Sequence, residues 1–294
     1  MFRIMEKRLL APAVHQLVVE APLVARRARP GNFVIVRTDE TGERIPLTIA
    51  DYDPEKGTVM LVVQEVGKST MDIGLMEEGD SFTDVAGPLG QATPIKKVGT
   101  IVGVAGGIGV APLLPQIKLH KEIGNHVITI VGARTRDLLI LKDETEQASH
   151  EVIFATDDGS SGYHGFVTGA LEELIKQGRQ IDEVTAIGPV RMMQATCNLT
   201  RKYNIPTLVS LNAVMVDGTA CAGAAGSPWA ARPSSPALTA PTLTGTRWTS
   251  TSWRQGRRSS ATKRISHANW PNRREVDAGA TRNSRQSGNA QAVA

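Results

Sequence analysis

Apolar and polar residues follow two different patterns along this chain, and the change from one to the other divides it. Up to Pro94, short runs rich in β-branched residues are separated by Gly, Pro, Asn and Asp, which predicts strands over 14–19, 33–37, 45–49, 59–63 and 82–85. Turns such as Arg29-Pro30-Gly31-Asn32 and Asp53-Pro54-Glu55-Lys56-Gly57 join them. Many short strands at close spacing predict a small antiparallel β barrel. Within this part, 71–76 reads as a short helix and Gly87-Pro88-Leu89-Gly90 as a structural turn.

From Val98 onward, continuous apolar runs alternate with helix-length segments. The runs predict strands over 99–105, 127–131, 152–155, 184–187 and 207–211, with helices over 110–123, 167–176 and 191–203. A strand that is apolar on both faces belongs in a sheet covered on both sides. This half therefore predicts a doubly wound parallel sheet of the α/β class.

After Thr219 the pattern stops. Among the 75 residues of 220–294, only Leu238, Leu243, Ile265, Val276 and Val293 are Ile, Leu, Val, Met, Phe or Tyr, while all four Trp of the protein fall here. That composition cannot bury enough surface to offset chain entropy, so the segment reads as a disordered tail. The expected organisation is a barrel over 1–97, an α/β domain over 98–219 and a tail over 220–294.

Charge follows the same break. The whole chain of 294 residues carries a net +4, but 220–294 holds 11 Lys+Arg against 2 Asp+Glu, and 1–219 holds 22 against 27. The basic character belongs to the tail alone. Arg runs there, Arg257-Arg258 and Arg273-Arg274, suit phosphate contacts, yet the tail shows neither repeats nor a helical face, so nucleic acid is not the expected partner. No apolar run reaches membrane-spanning length and Arg3, Glu6, Lys7 and Arg8 interrupt the start, which points to a cytoplasmic protein. Two cysteines, Cys197 and Cys221, make neither a disulfide framework nor a four-ligand metal site, so no metal ligands are assigned.

Candidate chemistry gathers at strand ends. Ala105-Gly106-Gly107-Ile108-Gly109-Val110-Ala111-Pro112 follows a predicted strand and opens a predicted helix, where glycines admit a ligand close to the backbone and helix amides favour an anion such as a pyrophosphate. A tight turn that needs glycine for geometry alone leaves the same pattern. Gly188-Pro189-Val190-Arg191-Met192-Met193 repeats the arrangement after a later strand, although Met192 and Met193 also suit a helix core. Arg134 and Arg136 stand past another strand end, where a guanidinium fork suits a 2′-phosphate. Asp157 and Asp158 lie in a polar loop that is either a plain turn or a cofactor-side loop. In the barrel half, Gly67, Lys68, Ser69 and Thr70 offer amides, hydroxyls and a cation to phosphate oxygens, and Pro46, Leu47 and Thr48 can face a flat ring.

Taken in order, Pro30-Gly31-Asn32-Phe33, 44–48, 67–70, 87–90, 105–112, 157–159 and 188–193 resemble the ferredoxin-NADP reductase superfamily. Within it, 1–219 resembles the alpha subunit of two-subunit ferredoxin-NADP reductase, also described as a sulfide dehydrogenase subunit, and the electron-transfer subunit of dihydroorotate dehydrogenase. The resemblance implies an FAD-binding barrel, an NADP(H)- or NAD(H)-binding domain, and hydride passing between nicotinamide C4 and flavin N5. It implies Pro46 to Thr48 along the isoalloxazine and Gly67, Ser69 and Thr70 at FAD phosphates. Gly106, Gly107 and Gly109 fall at the nucleotide pyrophosphate, and Gly188 and Pro189 near the nicotinamide. Arg44 departs from the pattern, standing four residues before Thr48 where the family has three. The implied partners are ferredoxin and a larger flavin and iron–sulfur oxidoreductase subunit.

The family continues with a cysteine motif, Gly-Met-Cys-Gly-x-Cys-Arg-Val-Thr-Val, that holds a [2Fe-2S] cluster. Here Asp217-Gly218-Thr219 leads instead into Ala220-Cys221-Ala222-Gly223. Back-translated and read one base earlier, 220–229 admits the family motif, and 230–245 admits Gly-Gly-Glu-Thr-Lys-Phe-Ala-Cys-Val-Asp-Gly-Pro-Asp-Phe-Asp-Gly. The tail thus reads as a one-base frameshift, in which case Cys221 is no ligand and the product binds cofactors but lacks its electron exit. Sequencing the gene across codons 219 and 220 is expected to show one base gained or lost relative to a frame spelling the cysteine motif; a messenger with an intact frame that encodes this tail ends the idea.

Overall fold

The computed structural model opens with a ten-residue strand, Phe2–Ala11 (β1), that the sequence pattern does not announce. Its alternation is broken by irregular register against the next strand between Ile4 and Glu6 and again between Leu9 and Ala11. Lys7 adds to the disguise, since its ammonium lies against the protein and donates to the Gly74 carbonyl at 2.9 Å. The structure describes residues 1–211 and, as backbone only, three short strands beyond them; these described parts all belong to one compact unit, Met1–Arg257.

After β1 come Val14–Glu20 (β2), the single turn Pro22–Ala25 (α1), Phe33–Arg37 (β3), Ile45–Asp53 (β4), Thr58–Gln64 (β5), Lys68–Leu75 (α2), Ser81–Phe82 (β6) and Asp84–Leu89 (β7). They form a seven-stranded antiparallel sheet in the order β6-β1-β2-β5-β4-β3-β7, curled around Leu17, Val19, Val34, Ile49, Leu61 and Phe82. The strand expected over 82–85 is in fact two, because the chain crosses there from the edge beside β1 to the edge beside β3. Gly87-Pro88-Leu89 accordingly belongs to a strand and not to a turn, with Leu89 opposite Phe33. The helix expected over 71–76 begins earlier, at Lys68, since the Thr70 hydroxyl accepts the Gly67 amide at 3.0 Å and caps the first turn.

The second half runs Thr100–Gly106 (β8), Val110–Glu122 (α3), His126–Ala133 (β9), Lys142–Ala148 (α4), Glu151–Thr156 (β10), Tyr163–His164 (β11), Val167–Lys176 (α5), Glu183–Ile187 (β12), Val190–Lys202 (α6) and Thr207–Ser210 (β13). Helix α4 was not expected: its buried positions are Thr145 and Ala148, too small and too few to show a period. The strands are parallel in the order β11-β10-β9-β8-β12-β13. Side chains alternate between two covers, Ile101 and Ala105 facing the α3 side and Val102 and Val104 the α5 and α6 side. Beyond Ser210 the backbone strands are Met215–Val216 (β14), its antiparallel partner Thr219–Ala220 (β15), and Thr242–Thr244 (β16), antiparallel to β13. Thr219 and Ala220, at the frameshift junction, thus fall on β15, whereas Cys221 and the rest of the expected disordered tail lie outside the described residues. Among the described residues, no helix is long and apolar enough to cross a membrane.

Barrel and sheet meet through α3. Ala11, Val14, Ala50 and Val62 of the barrel share one buried cluster with Leu113, Leu114 and Ile117 of that helix. The connecting segment is pinned by Asn125, whose Oδ1 accepts the amides of Val98 at 2.8 Å and Gly99 at 3.0 Å while Nδ2 donates to the Lys96 carbonyl at 2.9 Å. The same Nδ2 lies 2.9 Å from Nδ1 of His120, a side chain 2% exposed. Burial pushes the His120 pKa down to about 4. Between about pH 6.5 and 4 the unfolded chain takes up a proton that the folded chain refuses. Stability present at neutral pH is therefore lost as pH falls through that window, by up to about 3 kcal/mol for this group. Urea unfolding across pH 7 to 4 is expected to show a flatter profile for His120→Gln than for the parent; identical slopes would assign the acid sensitivity elsewhere.

Candidate functional site

Strand order fixes where a ligand can sit. From β8 the chain winds outward through β9 and β10, then crosses back to place β12 on the other side of β8, so the loops after β8 and β12 diverge at one crevice. A cavity of about 1430 Å³ opens there, walled by Gly106, Gly107, Gly109, Pro112, Gly188, Pro189 and Met192 from the sheet and by Pro46, Leu47 and Thr48 from the barrel. Residues singled out separately in the two halves thus face one space.

The two glycine loops are built on each other. A Cβ on Gly109 would overlap the Ile187 carbonyl, one on Gly188 would lie 2.9 Å from the Gly106 nitrogen, and one on Gly106 would lie 2.6 Å from the Met192 sulfur. These three glycines let β8 and β12 carry their loops in contact. Gly107 differs, because nothing lies within 4 Å of where its Cβ would point and its φ of +55° falls in the left-handed region. It begins the 3₁₀ turn Gly107–Gly109 that leads into α3, at the end where helix amides lack intrahelical partners. Gly107 is the bare stretch of backbone, and its neighbours hold it there.

Of the two arginines after β9, Arg134 is exposed on the cavity wall, whereas Arg136 starts the turn Arg136–Leu138 and does not line the cavity. Asp157 lines it too. Asp158 does not: its Oδ1 accepts the Ser160 hydroxyl at 2.7 Å and the Ser160 amide at 3.0 Å, which hold the carboxyl below its usual range. The Ser160 hydroxyl in turn accepts the Arg136 amide at 2.8 Å, so this part of the pattern shapes the loop.

On the barrel side, Pro46 and Thr48 are exposed on one face of β4, with Leu47 turned toward the barrel and opposite Val34. The adjoining turn is tied by buried Asn32, whose Oδ1 accepts the Arg29 amide at 2.8 Å and whose Nδ2 donates to the carbonyls of Leu89 and Gly90, both at 3.2 Å. Gly67, Lys68, Ser69 and Thr70 lie outside the cavity wall. The Thr70 hydroxyl is committed to the cap, accepting the amides of Val66 and Gly67 and donating to the Gly67 carbonyl. Ser69 donates its hydroxyl to Glu43, which ties the start of α2 to the residue beside Arg44.

The sequence pattern missed Phe166, Thr185 and Gln116. Phe166 is 71% exposed at the cavity wall just before α5, beside Val167 and Thr168. Its one legible signal is a large aromatic directly after Gly165 and before a helix. Gln116 and Thr185 are buried polar residues on the same wall, and Thr185 Oγ1 has no hydrogen-bond partner.

No protein-family model matches the chain. Over 221 residues it is 45% identical to the dihydroorotate dehydrogenase B (NAD(+)) electron transfer subunit homolog of Thermotoga maritima, spanning 75% of this chain and 78% of that protein. The dihydroorotate dehydrogenase B electron transfer subunit of Geobacillus thermodenitrificans is 32% identical over 198 residues, which cover 65% of this chain and 75% of that one. A solved structure of an NADH-dependent reduced ferredoxin-NADP oxidoreductase, studied for flavin-based electron bifurcation, matches with a TM-score of 0.74 at 38% identity over 83% of this chain and 88% of that chain. Phthalate dioxygenase reductase, at 19% identity and a TM-score of 0.55, shares the fold. On the barrel, the sheet order and this extent of similarity, the chain belongs to the family of dihydroorotate dehydrogenase B electron-transfer subunits, within the ferredoxin-NADP reductase superfamily.

Proposed function

We propose that this chain is a flavoprotein oxidoreductase subunit that passes electrons between NADH or NADPH and an iron–sulfur partner by way of FAD. The observation that carries the reading is the single cavity shared by the Pro46–Leu47–Thr48 stretch of β4 and the two glycine loops. At about 1430 Å³ it exceeds the roughly 300–1,000 Å³ of a typical single-ligand pocket, as two ligands laid against each other require. Relatives named as NAD(+)-dependent and ferredoxin-NADP electron-transfer proteins support the same assignment.

The residues present fit both groups. Pro46 and Thr48 give a flavin ring a flat strand face with one hydroxyl. Gly67 and the α2 amides suit its phosphates, with Lys68 as a nearby cation. Thr70 shapes that turn from within, and Ser69 would have to exchange Glu43 for phosphate. Gly107 and the start of α3 suit the nucleotide pyrophosphate, Gly188 and Pro189 bring backbone near its reactive ring, and exposed Arg134 suits a 2′-phosphate. Phe166 offers an aromatic face for a base. When bound, FAD supplies the chemistry, accepting a hydride and releasing electrons singly, so the chain needs no strong acid or base of its own. Its part is to hold two rings together and to exclude water with Ile187, Met192 and Val62.

A [2Fe-2S] cluster does not fit this chain. Four protein ligands are needed and the sequence has two cysteines, one of which, Cys197, is a buried thiol whose pKa is raised by that burial. Among the described residues no group of three or more His, Cys, Asp or Glu is placed to hold a metal. One-electron acceptance is therefore assigned to a partner, a larger oxidoreductase subunit or ferredoxin.

Gently purified full-length protein is expected to be yellow, to release FAD on denaturation, and to reduce ferricyanide with NADH or NADPH. A colourless protein that takes up no added FAD removes the proposal. Arg134→Ala is expected to raise KM for NADPH about tenfold, the worth of one charge-assisted contact, and to leave KM for NADH unchanged. Equal effects on both nucleotides would show that Arg134 does not read the 2′-phosphate.

A further inference from the structure

We infer that Lys118 and Asp51 form a positioning pair that sets the spacing between the two walls of the cavity. The inference rests on the hydride-transfer reading given above and concerns residues that do not line the cavity themselves.

The barrel sheet ends at Leu89 and the parallel sheet begins at Thr100, so one short segment connects them and their relative placement depends on packing. That packing is chiefly α3 against β4. Strand β4 carries Pro46, Leu47 and Thr48 at one end and Asp51 just past an irregular step in its pairing with β5. Helix α3 follows directly on the Gly107–Gly109 turn and carries Lys118 in its third turn. A slide of the helix along the strand therefore moves the glycine backbone relative to Pro46 and Thr48 by the same amount.

Most of this contact resists such a slide poorly. Barrel residues buried in the shared cluster are small or smoothly shaped, namely Ala11, Val14, Ala50 and Val62, with Leu10 and Met60 packed against its edge, and apolar burial is non-directional. The Lys118 ammonium bonded to an Asp51 carboxylate oxygen is the directional element between the two. Both side chains are about one-third exposed, so the pair adds little to stability and its effect lies in register. The ion pair of Arg8 on β1 with Glu144 on α4 crosses between the halves elsewhere, and it touches neither element that carries cavity-lining glycines or Pro46.

Hydride transfer depends steeply on the separation of donor and acceptor, and an error on the ångström scale is expected to slow it about tenfold or more. The test uses the full-length chain loaded with FAD. Flavin content, thermal midpoint and NADP⁺ affinity are measured beside the stopped-flow rate of flavin reduction at saturating NADPH, with 4-deuterated nucleotide for the primary isotope effect. Lys118→Met and Asp51→Asn are each expected to lower the reduction rate about tenfold and raise the isotope effect, with flavin content and NADP⁺ affinity within twofold of the parent. Lys118→Arg is expected to recover most of the rate. Parent-like reduction in both Lys118→Met and Asp51→Asn overturns the inference. So does a variant that loses flavin or NADP⁺ affinity together with its rate, since the pair would then serve the fold alone. A parent protein that holds no flavin, or whose flavin neither nucleotide reduces, refutes the proposed function instead, before any variant is compared.

Discussion

Helix α3 is buried on two sides at once. Through Leu113 and Ile117 it presses into the groove left by Gly103 on the central strand of the sheet, and with the same stretch it shares a core with Ala11, Val14, Ala50 and Val62 of the barrel. The helix is thus both a cover for the parallel sheet and the platform on which the barrel stands. A βα unit needs only the first of these roles. The second explains why the barrel contributes Pro46 and Thr48 to the crevice at the strand ends. A barrel docked on α5 or α6 would leave that crevice open on one side.

At the loops, one residue type serves two purposes that the amino-acid sequence writes identically. Gly106, Gly109 and Gly188 are glycines because the loops after β8 and β12 touch, and any Cβ there meets backbone or the Met192 sulfur. Gly107 is a glycine because the turn needs a positive φ, and its missing side chain leaves open space. The distinction bears on how a ligand is recognised. On the proposed function, a negatively charged group would approach the open position at Gly107, beside closely packed glycines that hold the loop in place. Preorganised backbone of this kind loses little entropy on binding.

Much of the fold was legible because burial imposes a period. Continuous apolar runs marked β8, β9 and β12, and short runs rich in β-branched residues marked β2, β3 and β5, since most positions of these strands are buried. Where another interaction broke the period, the reading failed. Irregular pairing and an inward Lys7 hid β1, small buried residues hid α4, and the crossing between sheet edges hid the division of β6 from β7. The site divided in the same way. The glycine loops and Pro46 to Thr48 were visible as groups of residues at element ends. Phe166 has only Gly165 before it and a helix after it to mark it, too little to separate it from an ordinary loop aromatic. Asp158 and Thr70, whose polar atoms are spent on their own turns, carry the same letters as residues that face a ligand.

The chain's chemistry also separates along its length. Every group assigned to flavin and nucleotide lies within the first 211 residues, where strand order, α3 and the glycine loops enforce one another. Two-electron chemistry would need only two rings held together, for which the fold offers one shared cavity and no ionisable catalyst. One-electron transfer would need the partner's redox centre within reach of the flavin, since a cluster held by this chain would require soft ligands in greater number. The match to the Thermotoga maritima protein spans 221 residues, close to the length in front of the basic tail, and two cysteines in the whole sequence cannot make up four. On the proposed function, hydride acceptance and the holding of a cluster are therefore separable in this chain: the first depends on the packing of a helix between two sheets, and the second on a ligand set that packing does not provide.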